Sequence, residues 1–256
     1  MKKTLVYEAY SQNSCNCTSF INCGFLIKEI RFNRSDLFQI LLLPFCVFLL
    51  LIPMRPVSAE DSSSFIQQNG TMNLVQVSQI SDLNFIQIQQ TGNDNAITIH
   101  QTGQANIFTA LQTGGFQTAD IEQNGIDNEI EITQNLAENQ AQISQNGSLN
   151  LAHCIQNGNF NELFLSQQGS SNQSSIIQEG DYLRVNQEQT GDFNQAESSQ
   201  WGTDNIIHQI QIGNYNKAFC LQDGMHNECT QIQMGNGYEI NISQKGSYMQ
   251  CLIIQS

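Results

Sequence analysis

Glutamine stands at every eleventh position from Gln68 to the end of the chain: Gln68, Gln79, Gln90, Gln101, Gln112, Gln123, Gln134, Gln145, Gln156, Gln167, Gln178, Gln189, Gln200, Gln211, Gln222, Gln233, Gln244 and Gln255. A carboxamide carries a donor and an acceptor, so amides stacked at strand spacing can each bond the next. Stacking of that kind removes the penalty of about 1–3 kcal/mol for a buried, unpaired polar group. Five residues after the Gln comes Asn in thirteen of seventeen units, at Asn73, Asn84, Asn95, Asn106, Asn128, Asn150, Asn161, Asn194, Asn205 and Asn216 among others. Gln117, Leu183, Tyr238 and Met249 are the exceptions in that column. These two columns are the expected inward amide ladder.

A third column is glycine, two residues after the Gln, at Gly70, Gly92, Gly103, Gly125, Gly147, Gly158, Gly191, Gly213, Gly246 and further units, broken only by Ser81 and Leu136. The unit reads Gln-x-Gly-x-x-Asn-x-φ-x-φ-x-Gln, where φ is apolar. From Asn to the next Gln the residues alternate as a half-buried strand does. Asn95, Ile97, Ile99 and Gln101 take one face, and Ala96, Thr98 and His100 the other. Glycine falls in the link, where a reversal calls for positive φ.

Strands this short cannot bury an apolar face alone, so the predicted fold is all-β: a two-sheet β-solenoid, cross-β-like, of eleven-residue strand-turn units. Two strands per coil follow from Gln187, Gln209 and Gln231, which replace an apolar core residue at 22-residue spacing and would then stack. In that coil Gln187 lies opposite Ala196 and Gln209 opposite Ala218, large against small. Seventeen strands counted from Asn73 make a rod about 40 Å long at about 4.8 Å per coil.

Other reactive side chains form no catalytic constellation. His100, His153, His208 and His226 occupy outward or turn positions with no nucleophile pattern nearby, and no catalytic residue is assigned. Asp94, Asp127, Asp192 and Asp204 at the turns lack the Gly-Gly-x-Gly-x-Asp array of calcium-binding β-rolls and read as solvated. Outward threonines do not align as a flat ice-binding face, and Phe160 with Tyr182 and Phe193 with Tyr215 read as turn packing. Cys154, Cys220, Cys229 and Cys251 fall at core positions and read as small buried hydrophobes, with Cys220 facing Cys229 and Cys251 one coil from Cys229. A bridge between facing sheets would require a local pinch, and zinc spacing is missing. No cofactor, metal or small-molecule substrate is expected.

Charged residues make up 12% of the chain, and from Glu60 onward Arg184, Lys217 and Lys245 stand against twenty acids, a net of −17. Such acidity disfavours a nucleic-acid partner and keeps unassembled chains apart at long range. Lys28, Arg31 and Arg34, an apolar run from Leu37 to Ile52, and Val57-Ser58-Ala59 read as a secretory leader, residues 1–59, cut after Ala59. Residues 60–67 are then a short Ser-rich segment and 68–256 the solenoid.

The register resembles the curlin repeat of curli fibre subunits, Ser-x5-Gln-x4-Asn-x5-Gln with glycine in the link. Gln90-x-Gly92-x-x-Asn95-x5-Gln101 copies its latter part, and the resemblance covers residues 65–256. It implies inward Gln and Asn ladders and a secreted subunit that assembles outside the cell into amyloid, pilus-like fibres for adhesion and biofilm. The implied partners are further copies of the chain, a paralogous nucleator or major subunit, and an outer-membrane secretion channel. Two features depart from the family: its inward Ser is usually Asn here, and no Gly-rich address follows the leader. Val75 and Val77 in the first strand, and Cys251 and Ile253 in the last, mark the expected assembly edges, because neither strand carries a charge or a cap.

Overall fold

In a computed structural model the described residues are 62–256, together with the backbone of three preceding strands, Leu26–Phe32, Asp36–Leu42 and Phe48–Leu51. The cleavage after Ala59 lies outside the described residues. From Ser63 to Gln255 the chain is eighteen strands of six to nine residues, with no helix among the described residues. Odd strands, beginning with Ser63–Thr71 and Phe85–Asn93, form one sheet, and even strands, beginning with Leu74–Ile80 and Ala96–Gln104, form the other.

Every strand in this stretch pairs in parallel with the strand 22 residues away, with no slip of register: Gln90 sits on Gln112, Gln112 on Gln134, and Gln123 on Gln145. Two strands therefore close one coil, as the spacing of Gln187, Gln209 and Gln231 requires. A one-residue slip would turn every apolar side chain outward, so the buried face holds the pairing. Between the sheets lies a core of two inward residues per strand, apolar in most strands, such as Ile86 and Ile88, or Ile97 and Ile99, all essentially inaccessible. Phe108, the largest fully buried side chain, shares its strand with the small Ala110.

The solenoid begins one strand earlier than the glutamine count, at Ser63, which makes nine coils rather than eight and a half. The missed strand lacks an Asn at its head; Ser62 fills that place, its Oγ accepting from the Asn84 N–H at 3.1 Å. Ser64, Ile66 and Gln68 then alternate inward behind it. The strand bearing Val75 and Val77 is accordingly the second. It pairs with Phe48–Leu51, and both valines are buried, so in the full chain they are not an open edge.

Candidate assembly site: amide columns, turns and tips

From Gln90 to Gln222 each column glutamine uses both hydrogens of its amide. Gln134 Nε2 donates to Gln156 Oε1 at 2.8 Å, and to the Thr118 carbonyl in the opposite sheet at 3.0 Å. The first bond ladders coils along the axis; the second ties the two sheets together at their margin. The same pair of bonds recurs at Gln112, Gln145, Gln167 and Gln189. In the first sheet the ladder runs without a break from Gln68 through Gln90, Gln112, Gln134, Gln156, Gln178, Gln200 and Gln222 to Gln244. In the second it runs from Gln79 through Gln101, Gln123, Gln145, Gln167, Gln189 and Gln211 to Gln233. Gln255 keeps the backbone register with Gln233, but its Oε1 is buried and has no partner, so the last rung is open.

The asparagine column works differently, as a staple on the turns. Asn128 Oδ1 accepts from the Asn150 backbone N–H and from Asn150 Nδ2, both at 3.1 Å, while Asn128 Nδ2 donates to the Gly147 carbonyl at 3.0 Å. Equivalent bonds to a glycine carbonyl form at Asn73, Asn84, Asn95, Asn106, Asn150, Asn161, Asn194, Asn205 and Asn216. Asn139, Asn172 and Asn227 belong to the same column. Gln117 substitutes with its longer amide, reaching the Leu136 carbonyl at 3.2 Å. The Leu183 side chain has no donor and is buried, while its backbone N–H still bonds Asn161 Oδ1 at 2.9 Å.

Glycine in the link is enforced by close approach. Gly92 has φ of +118°, and a Cβ there would lie 1.8 Å from the Gly114 carbonyl oxygen of the next coil. The same holds at Gly70, Gly103, Gly125, Gly147, Gly158, Gly191 and Gly213, whereas at Gly246, on the outermost turn, only the positive φ remains. Ser81 at +87° and Leu136 at +77° hold positive φ without being glycine, a strained arrangement.

A further column was not read from the sequence. The residue just before each Asn position is left-handed in every unit, from Met72 to Tyr248, and only Gly237 among them is glycine. A signal was present: none of the seventeen is Val, Ile or Thr, the types that positive φ penalises most. Their side chains stack along the turns, Phe160 on Tyr182 at 4.9 Å, Phe193 on Tyr215 at 5.0 Å and His226 on Tyr248 at 4.9 Å. A second exposed ladder runs beside them: the Ser170, Asp192 and Asn214 backbone N–H groups donate in turn to Asp192, Asn214 and Asn236 Oδ1, at 2.7–2.8 Å.

The interior amides behave as stacking requires at one step only. Gln209 Nε2 donates to Gln231 Oε1 at 2.7 Å, but Gln187 does not bond Gln209. Ser198 comes between them, its Oγ 2.7 Å from Gln209 Oε1 and 3.4 Å from Gln187 Oε1, and Gln187 Nε2 is left buried without a partner.

Charge follows the same 22-residue geometry. None of the acids among residues 62–256 has another acid one coil away, although parallel pairing would stack any such pair. Conversely, Arg184 stands one coil from Glu162, Lys217 from Glu239 and Lys245 from Asp223. Arg184 Nε donates to Glu162 Oε2 at 2.8 Å, His153 pairs with Glu131 at 3.7 Å, and His226 with Asp204 at 3.6 Å. The four histidines are thus dispersed along the rod. No group of three or more His, Cys, Asp or Glu among the described residues could hold a metal.

At the far tip the outer strands are Glu239–Ser247 in one sheet and Gln250–Gln255 in the other. Cys251 and Ile253 pack partly buried against the core there, while Leu252 and Ile254 face outward and are exposed. Cys154, Cys220 and Cys229 are buried free thiols. Burial pushes the Cys154 thiol far above its usual range. Cys220 is raised further still, first by its contact with Cys229 and then by burial.

No curated protein matches the chain at a significant level. Residues 137–169 match the family described as the curlin associated repeat, a window covering the strands Gln140–Ser148, Leu151–Asn159 and nearly all of Glu162–Ser170. The Gln column of that window continues in register on both sides of it, as do the Gly and Asn columns apart from Ser81, Leu136, Gln117, Leu183, Tyr238 and Met249, and the chain is a curlin-family repeat protein.

Proposed function

We propose that this protein is the structural subunit of a secreted, curli-like amyloid fibre that grows by end-to-end strand addition and serves adhesion and biofilm. The observation that carries the reading is the polarity of the amide ladder. Each glutamine of the first sheet donates towards the chain end, so the column opens with Gln68 and finishes with Gln244, whose Nε2 bonds the Glu228 carbonyl and has its second hydrogen to give. One tip offers acceptors and the other donors. Setting the next copy's Gln68 on Gln244 by the same 22-residue step places Val75 on Cys251, Val77 on Ile253 and Gln79 on Gln255, apolar on apolar and amide on amide.

Such a junction extends two backbone ladders and the dry core at once, the combination that makes cross-β assemblies slow to dissociate. The strands at the junction carry no stacked like charges, so the acidity of the chain opposes chance encounters more than it opposes the seated contact. Pairing of the Leu74–Ile80 strand with the leader strand Phe48–Leu51 is compatible with growth only once the leader has gone. A monomeric solenoid acting as a surface adhesin is the competing reading. Thioflavin fluorescence of the purified chain without its leader, with and without preformed seeds, separates the two. The proposal expects seeded elongation without a lag; a chain that stays monomeric and dye-negative at every concentration overturns it.

A further inference from the structure

Tyr248 and Met72 are the most exposed large apolar side chains among the described residues, at 77% and 68%, and they stand at opposite tips of the rod. Both belong to the left-handed turn column, with φ of +59° and +57°. A single exposed apolar residue is ordinary on a protein surface. These two are related by position: the 22-residue step that seats Gln68 of one copy on Gln244 of another also sets Met72 on Tyr248.

The geometry of that contact is already present inside the chain. From Asp94 to Tyr248 each residue of the column donates its N–H to a carbonyl one coil back, as Asp94 does to Thr71 at 3.0 Å, His226 to Thr203 at 3.1 Å and Tyr248 to Met225 at 3.0 Å. The same bond across the junction runs from the Met72 N–H to the Ser247 carbonyl. Turn side chains held in this way stack closely, Phe160 on Tyr182 at 4.9 Å and His226 on Tyr248 at 4.9 Å. His226 covers one face of the Tyr248 ring, so the thioether of an incoming Met72 meets the other, at the sulfur-to-ring distance of about 5 Å that favours such pairs.

We propose that Met72 and Tyr248 form a clasp between copies, outside the core, and that Met72 makes the clasp sensitive to oxidation. The proposal rests on the end-to-end assembly argued above, and the partner is a second copy of this chain. Hydrogen peroxide transfers one oxygen atom to the Met72 sulfur and leaves as water; the sulfide loses two electrons and the peroxide gains them. The sulfoxide is polar and gives up the apolar contact with the ring. The free chain, whose Met72 is open, is the vulnerable form, and a seated Met72 is shielded by the Tyr248 ring.

The test treats the free chain and seeded fibres, both without the leader, briefly with hydrogen peroxide and locates methionine sulfoxide by mass spectrometry. Met225, half exposed on a turn the junction does not cover, is the internal standard. Met72 is expected to be oxidised as readily as Met225 in the free chain and about fivefold more slowly in the fibre, with Met225 alike in both. Oxidising the free chain before seeding is expected to raise the monomer concentration left at the end of growth roughly fivefold. Met72→Leu, apolar but without sulfur, removes most of that rise, and Tyr248→Ala produces a rise without peroxide. If the unchanged chain forms no fibre, the assembly reading falls and the clasp with it. If fibres form but Met72 in them is oxidised as fast as Met225, or peroxide raises the residual monomer equally in Met72→Leu, the clasp alone is overturned.

Discussion

A Cβ on Gly114 would lie 1.8 Å from the carbonyl oxygen of Leu136, the residue that holds the glycine position of the next coil at φ of +77°. Successive turns are stacked so closely that the column admits no side chain pointing along the axis. Leu136 survives because its own side chain leaves the stack into solvent, at the cost of a strained backbone. Leu136→Gly is expected to raise stability by about 1 kcal/mol, and Gly147→Ala to lower it by at least 2–3 kcal/mol through clash and positive φ. Urea unfolding of both variants checks the opposite signs.

Two buried glutamines one coil apart should respond oppositely to the same substitution. Gln187 Nε2 has no partner, so Gln187→Leu removes an unsatisfied group and should stabilise by about 1 kcal/mol. Gln209 holds Ser198, Gln231 and the Glu197 carbonyl, and Gln209→Leu removes these three bonds, leaving Gln231 Oε1 without its donor and costing about 2–3 kcal/mol. Thermal melts of the pair test the assignment.

Much of this was legible in the chain because an in-register stack forces the same solution on each unit. The Gln, Asn and Gly columns announce strand, turn and coil length together, and Gln187, Gln209 and Gln231 give two strands per coil. Two things were not legible because another group took over a column's task, and a third because its column has no side-chain type of its own. Ser62 replaced Asn and hid the first strand. Ser198 came between Gln187 and Gln209 and broke a ladder that spacing alone would draw. The left-handed residues before each Asn share no side-chain type, only the avoidance of β-branching.

The rule that acids do not stack makes a matched test. Gln142 stands one coil from Asp120, whereas Gln173 stands between Leu151 and Gln195. Gln142→Glu and Gln173→Glu add the same charge. The first is expected to destabilise by a few tenths to about 1 kcal/mol at low salt, and the second to change little. Raising the salt should close the gap; an equal effect of both contradicts the rule.

Buried thiols set an alkaline limit. Cys154 and Cys220 hold their protons in the folded chain above the unfolded value of 9.0. Below that pH both states are protonated and nothing is lost. Above it the unfolded chain releases protons that the folded chain retains, so stability falls as pH rises. Melts between pH 8 and 10.5 should decline more steeply for the reduced protein than for Cys154→Ser.

The central claim is that one tip continues the other in the same 22-residue register. Cryo-electron microscopy of seeded fibres measures this directly. Nine coils at about 4.8 Å predict an axial subunit repeat of about 43 Å, with Gln68 of each copy seated on Gln244 of the one before. Subunits joined side by side through their outer faces, or a repeat that is not nine coils, would contradict it.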